Sequence, residues 1–142
     1  MAARKIPPSV AVDTGALLAL ASSRDQYHER ALRTLAALQK AGTRMVGHVL
    51  VLGELHGHLL RRLDAASARR ILGGLTKDPS FQWLDVDVPL IDRATSAWMD
   101  RFSDQRVSLT DALTFELMRE SKLTHAFAYD QDFETAGFAL LA

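Results

Sequence analysis

The residues with the clearest chemical potential are four acids spread along the chain: Asp13, Glu54, Asp111 and Asp130. Asp13 closes the apolar, β-branched run SVAVDT, and Asp130 closes HAFAYD. Each of these runs reads as a buried strand. In an open parallel sheet, ligands bind beyond the carboxyl ends of the strands, so both acids should reach the same edge. Asp111 sits in the first turn of SLTDALTFELM, and Glu54 in the middle of VLVLGELHGHLLRRL. Carboxylates brought together repel one another. Either their pKa values rise or a cation sits among them. A ligand set made only of oxygen favours Mg²⁺ or Mn²⁺. Such an ion polarises a phosphodiester and lowers the pKa of a bound water.

Each acid also has a plainer reading. Asp13 can cap the helix that starts at TGALLAL, and Ser108-x-x-Asp111 has the spacing of a capping box. Glu54 shares a helical line with Leu50 and His58 and borders the apolar stripe Val51, Leu55, Leu59. An ionised carboxylate there is costly unless paired, metal-bound or reaching to solvent at the edge of the stripe. The string VDTGA also resembles the Asp-Thr-Gly of aspartic proteases, which need two such aspartates in a mostly β fold. This sequence offers one and is rich in helix. His48, His56 and His58 raise a zinc reading, but His56 and His58 point to different faces of a helix and no H-E-x-x-H occurs.

The elements that must carry these acids alternate. Strands are expected at SVAVDT, TRMVGH, FQWLDV, HAFAYD and GFALLA. Between them lie helices: GALLALA, RDQYHERALRTLAALQK ending at Gly42, VLVLGELHGHLLRRL, the Asp-capped DAASARRILGGL, PLIDRATSAWMDRF with Pro89 in its first turn, and SLTDALTFELMRESK. The strands are apolar throughout, as expected when helices cover both faces of a parallel sheet. The expected fold is a three-layer α/β/α domain over residues 9–142, with a mostly parallel sheet of four to five strands and a short extension over residues 1–8.

The 142 residues suit one domain. With 17 basic and 17 acidic residues the net charge is zero, so bulk electrostatics does not mark a nucleic-acid binder. Arginines nevertheless gather at Arg61, Arg62, Arg69 and Arg70, either as a solvated helix face or as a local basic patch. The chain has no cysteine, which removes disulfides and thiolate metal sites. No apolar run reaches the length of a membrane span. The polar start MAARKIPPSV is unlike a secretory leader, so a cytoplasmic protein is expected.

The ordered set VDTGALLAL, LGELHGHLL, SLTDALTFELM and AFAYDQDFETAGF resembles PIN-domain ribonucleases, particularly the VapC-type toxins of bacterial toxin–antitoxin pairs. The likeness runs from about Val10 to the C-terminus. It implies an acidic pocket that binds Mg²⁺ or Mn²⁺ and hydrolytic cleavage of single-stranded RNA. Asp13, Glu54, Asp111 and Asp130 match the family's acids in order, as catalytic and metal-binding residues. Thr14, Ser108 and Thr110 match the flanking hydroxyls, and Asp132 is a neighbouring candidate that an extended chain would point the same way as Asp130. One departure is Ala128, where the family often carries Ser or Thr. Arg61, Arg62, Arg69 and Arg70, with Arg4 and Lys5, are candidates for RNA phosphates. The resemblance also implies an antitoxin partner, over RDQYHERALRTLAAL and VLVLGELHGHLL, and a homodimer. A PIN-like module that binds protein without activity is the alternative.

Overall fold

The structure, a computed structural model, describes residues 5–141. Arg4 therefore lies outside the described residues. The strands are β1 (Ser9–Val12), β2 (Arg44–His48), β3 (Phe81–Leu84), β4 (His125–Phe127) and β5 (Ala139–Leu140). They form one sheet in the order β3-β2-β1-β4-β5, and every pairing is parallel. Helices α1 (Thr14–Ala21), α2 (His28–Lys40), α3 (Val49–Arg62), α4 (Ala65–Lys77), α5 (Val88–Ala94), α6 (Leu109–Glu120) and α7 (Asp132–Thr135) supply the crossovers. The α/β/α architecture expected from the alternation is the one observed.

Period-two alternation along the strands explains the three layers. In β1, Val10 and Val12 enter a core with α1–α4, built on Leu17, Leu38, Leu55 and Leu59. Ala11 faces the opposite core, built on Leu90, Trp98, Leu113, Phe115 and Phe133. Along β4 and one residue past it the same rule holds: Phe127 joins the first core while Ala126 and Ala128 join the second. Both faces of these strands are buried, so they read as unbroken apolar runs. Ahead of β1, the Pro7 carbonyl accepts from Thr43 Oγ1 at 2.9 Å, and the Pro8 carbonyl accepts from the Arg44 amide at 2.9 Å.

Local chemistry sets the helix boundaries. Asp64 accepts from the Ser67 amide at 2.7 Å, and Asp87 from the Leu90 amide at 2.9 Å. Gly42, at φ 68°, ends α2. Gly47 permits a close approach: a Cβ there would lie 2.6 Å from a Trp83 ring carbon and 3.2 Å from Val12. The Trp83 ring can therefore lie over β2, with its Nε1 donating to the Leu75 carbonyl at 3.0 Å.

Two elements differ from the helical spacing of apolar residues, which in α2 picks out Ala31, Leu32, Leu35 and Leu38. The buried stripe of α2 is Ala31, Thr34 and Leu38, while Leu32 is 41% exposed. Thr34 tolerates burial because its hydroxyl donates to the Arg30 carbonyl at 3.1 Å. The helix expected over PLIDRATSAWMDRF widens after α5 into a π-helical turn, Thr95–Met99. There the Asp100 amide donates to the Thr95 carbonyl at 3.1 Å, and Trp98 is directed into the second core. Among the described residues no helix is long and apolar enough to cross a membrane.

A candidate metal centre at the carboxyl edge of the sheet

Asp13 follows the last residue of β1, the middle strand of the sheet. Its amide donates to the Phe127 carbonyl at 3.1 Å, so its backbone is fixed by β4. The residue precedes α1 with extended dihedrals, yet its side chain makes no capping hydrogen bond. The capping reading therefore fails for Asp13. Its Oδ1 is buried without a partner, and so is Oγ1 of the adjacent Thr14. Burial is the largest reason why the Asp13 carboxyl is pushed up to about 7. The Asp111 charge adds to it, the Thr14 amide opposes it, and Glu54 and Asp130 add further.

Asp111 stands in the first turn of α6. Ser108 caps that helix by accepting from the Asp111 amide at 3.1 Å. The capping reading is thus correct for Ser108, whose hydroxyl and not the Asp111 carboxylate caps the helix. Burial raises that carboxyl to about 6, followed by the charges of Asp130 and Glu54, against a hydrogen bond from Ser108. Thr110 is buried, and the group it presents to β2 is its main-chain carbonyl.

Asp130 and Asp132 are not on an extended chain, as the sequence led one to expect. Asp132 opens α7, and its amide donates to Asp130 Oδ1 at 2.9 Å. The turn nevertheless brings both acids to Asp111: one oxygen from each of Asp111, Asp130 and Asp132 lies within 4.8 Å of the others. Asp132, in the sequence only a neighbour of the fourth acid, belongs to this trio. Burial, then the Asp130 charge, raises its carboxyl. Asp13 and Glu54 stand outside the trio but are close enough for their charges to act on it. Glu54 is half-buried beside Val51 and Leu55, as its helical position predicts.

The donor set fits a hard divalent cation. It is all carboxylate, with two orphaned buried oxygens beside it and no histidine in the trio. Ala128, at the position where a hydroxyl was expected, is fully buried in the second core, where a methyl packs without an unmet polar group. His56 and His58 join no metal-ligating group among the described residues.

The arginines are all exposed and lie on two helices. Arg61 and Arg62 end α3 and, with Ser22, Ser23 and Arg24, line a cleft of about 700 Å³. Arg62 also pairs with Asp25 at 3.4 Å. Arg69 and Arg70 stand on α4, where Arg70 donates to Ser67 Oγ at 3.0 Å. Lys5 precedes β1 and lies at the edge of the sheet away from the acids. The sequence raised His48 only as a zinc candidate and gave it no part in the acidic site. His48 ends β2, is 1% exposed, and its Nε2 lies 3.0 Å from the Thr110 carbonyl. A histidine between a strand and a helix start was the available signal.

A parallel sheet carrying this acidic edge is the arrangement of the PIN domain, and the PIN-domain family model matches residues 10–139. The chain belongs to that family. It is 31% identical over 132 residues to the 23S rRNA-specific endonuclease VapC20 of Mycobacterium tuberculosis, covering 89% of this chain and 93% of the relative. The crystal structure of that protein, described as a sarcin-ricin loop cleaving toxin, superposes with a TM-score of 0.82 at 28% identity, covering 92% of this chain and 96% of the other. VapBC2 from Rickettsia felis, bound to a DNA fragment from its promoter, shares the fold at a TM-score of 0.70 and 10% identity, covering 93% and 96% of the two chains. FitAcB from Neisseria gonorrhoeae does so at 0.65 and 16%, covering 94% and 96%. With the fold settled as a parallel α/β sheet, the aspartic-protease reading falls.

Proposed function

We propose that this chain is a metal-dependent endoribonuclease that cuts single-stranded or loop RNA, acting as the toxin of a toxin–antitoxin pair. The observation that carries this reading is Asp13. Its carboxylate is buried at the end of the central strand, lacks a partner for Oδ1, and faces other acids rather than cations. Asp111, Asp130 and Asp132 would hold Mg²⁺ or Mn²⁺, with Asp13 and Glu54 completing the negative wall, directly or through waters. When bound, the cation polarises the phosphodiester and lowers the pKa of a water.

The chain's own groups do the rest. Ser108 keeps the Asp111 carboxylate aimed outward from the helix start. The Asp130–Asp132 turn keeps two acids on one side of the chain. Water attacks the scissile phosphorus in line, and the products carry a 5′-phosphate and a 3′-hydroxyl. Arg61, Arg62, Arg69 and Arg70 hold the flanking phosphates, and an antitoxin and a second copy of the chain are its protein partners.

The VapC20 relative suggests the first RNA to try, a sarcin–ricin-loop hairpin. Purified protein with Mg²⁺ or Mn²⁺ is expected to cut it, EDTA to stop the reaction, and Asp13→Asn to lose ~10²-fold or more in rate, since changes outside the ligand sphere already cost 10–100-fold. A folded protein that cuts no RNA under these conditions would leave the binding-module reading in its place.

A further inference from the structure

The geometry points to His48 as a positioning residue for Asp111, acting through the Thr110–Asp111 peptide; this rests on the nuclease reading above. That peptide is held from both sides. Its N–H donates to Ser108 Oγ at 3.1 Å, and its carbonyl lies 3.0 Å from His48 Nε2. His48 Nε2 also lies 3.1 Å from Thr114 Oγ1, whose hydroxyl donates to the same Thr110 carbonyl at 3.1 Å.

The tautomer follows from these contacts. A carbonyl can only accept, so a bare Nε2 would set two lone pairs against each other. Nε2 therefore carries the hydrogen, and Nδ1 is left bare. Nδ1 is in fact buried without a partner. Burial holds the ring toward its neutral form, with the Thr110 carbonyl and the Glu54 charge opposing. An unmet buried acceptor is a standing cost that a leucine of similar size would avoid. The Nε2 bond is what the imidazole offers in return.

Its location makes that bond consequential. The register Ala11↔Val46, carried two residues on, sets His48 beside Asp13. The next residue, Val49, starts α3, which carries Glu54. His48 thus joins the carboxyl end of β2 to the start of α6, where two of the acid-bearing elements meet the sheet.

Two measurements test this. In wild-type protein, long-range ¹⁵N–¹H NMR of the histidine ring should show the neutral Nε2–H tautomer; an Nδ1–H tautomer overturns the proposal whatever the variants do. In variants, the amide nitrogen of glutamine reaches the Nε2 position while that of asparagine reaches only Nδ1. His48→Gln should keep the Mn²⁺ dissociation constant, measured by calorimetry, within about threefold of wild type. His48→Asn should weaken it by about tenfold or more, with kcat lowered and KM for RNA unchanged. Equal Mn²⁺ affinity in the two amide variants would refute the positioning role. Wild-type protein that neither binds Mn²⁺ nor cuts RNA would refute the nuclease reading instead.

Discussion

Glu116 and Asp13 are both carboxylates withdrawn from solvent, the first 0% exposed and the second 7%. Their surroundings are opposite. Glu116, on α6, accepts from Trp98 Nε1 at 3.1 Å and from Arg119 Nε at 2.9 Å, with a second Arg119 nitrogen on its other oxygen. Burial pushes its carboxyl up, but the Arg119 hydrogen bond, with those of Glu120 and Trp98, outweighs it, and the group stays below its ordinary value. Among the described residues Asp13 has no arginine and no partner for Oδ1, and its carboxyl is raised to about 7. The protein itself completes the charge at Glu116. At Asp13 it leaves the charge unanswered, which is the feature the proposed cation would complete.

The sharpest way to break this contrast is to delete each carboxylate in turn. Glu116→Ala strands the Trp98 N–H and opens a cavity between α6 and the π-helical turn. A loss of about 3 kcal/mol in stability is expected, with cleavage per folded molecule unchanged. Asp13→Asn should do the reverse. It should abolish most activity while raising the melting temperature in EDTA at pH 8. A pKa raised from 3.8 to about 7 corresponds to roughly 4 kcal/mol at most between the acid and alkaline limits. Denaturant melts and initial cleavage rates on both variants decide the matter. A destabilised, active Asp13→Asn would erase the distinction.

The pH dependence sharpens the same point. Asp13 and Asp111 bind protons more tightly in the folded chain, at about 7 and about 6, than in the unfolded chain near 3.8. Between these limits the folded state holds protons that the unfolded state has released. The stability from this source is therefore full below about pH 4 and is lost as pH rises through 6 and 7. In EDTA the melting temperature should fall from pH 5 to pH 8. Saturating Mn²⁺ should restore it at pH 8 and do much less at pH 5, because the ion needs the deprotonated carboxylates. A melting temperature that rises toward pH 8 without metal would contradict the raised values.

Much of the acidic edge was legible in the sequence because its signals are local. An apolar run that stops at an aspartate marks a strand end, and a parallel sheet puts such ends on one side. The Glu54 stripe and the Ser108 cap follow from helical spacing alone. Asp132 was harder. Whether it points with Asp130 depends on a turn closed by a bond from its own amide to Asp130, and apolar periodicity carries no trace of that bond. His48 and Glu116 were harder still. Their roles are set by Thr110, 62 residues from His48, and by Trp98, 18 residues from Glu116. The widened turn that directs Trp98 inward departs from the helical period on which the reading relied.

The basic side of the molecule offers the smallest expected effect and extends the comparison to binding. Arg61 and Arg62 stand at the end of α3, whose middle carries Glu54. A strand of RNA with a phosphate at the acids can therefore run along this helix into the cleft they share with Arg24. Each phosphate contact to a single strand contributes about 0.7 to the slope of log affinity against log salt. In an Asp13→Asn background, where the RNA survives, Arg61→Ala/Arg62→Ala should weaken binding and flatten that slope by about 1. Arg62 already shares its charge with Asp25, so its part should be the smaller of the two, and Asp25→Asn should strengthen binding slightly. An unchanged slope in the double variant would move the phosphate path off α3, toward Arg69 and Arg70 on α4.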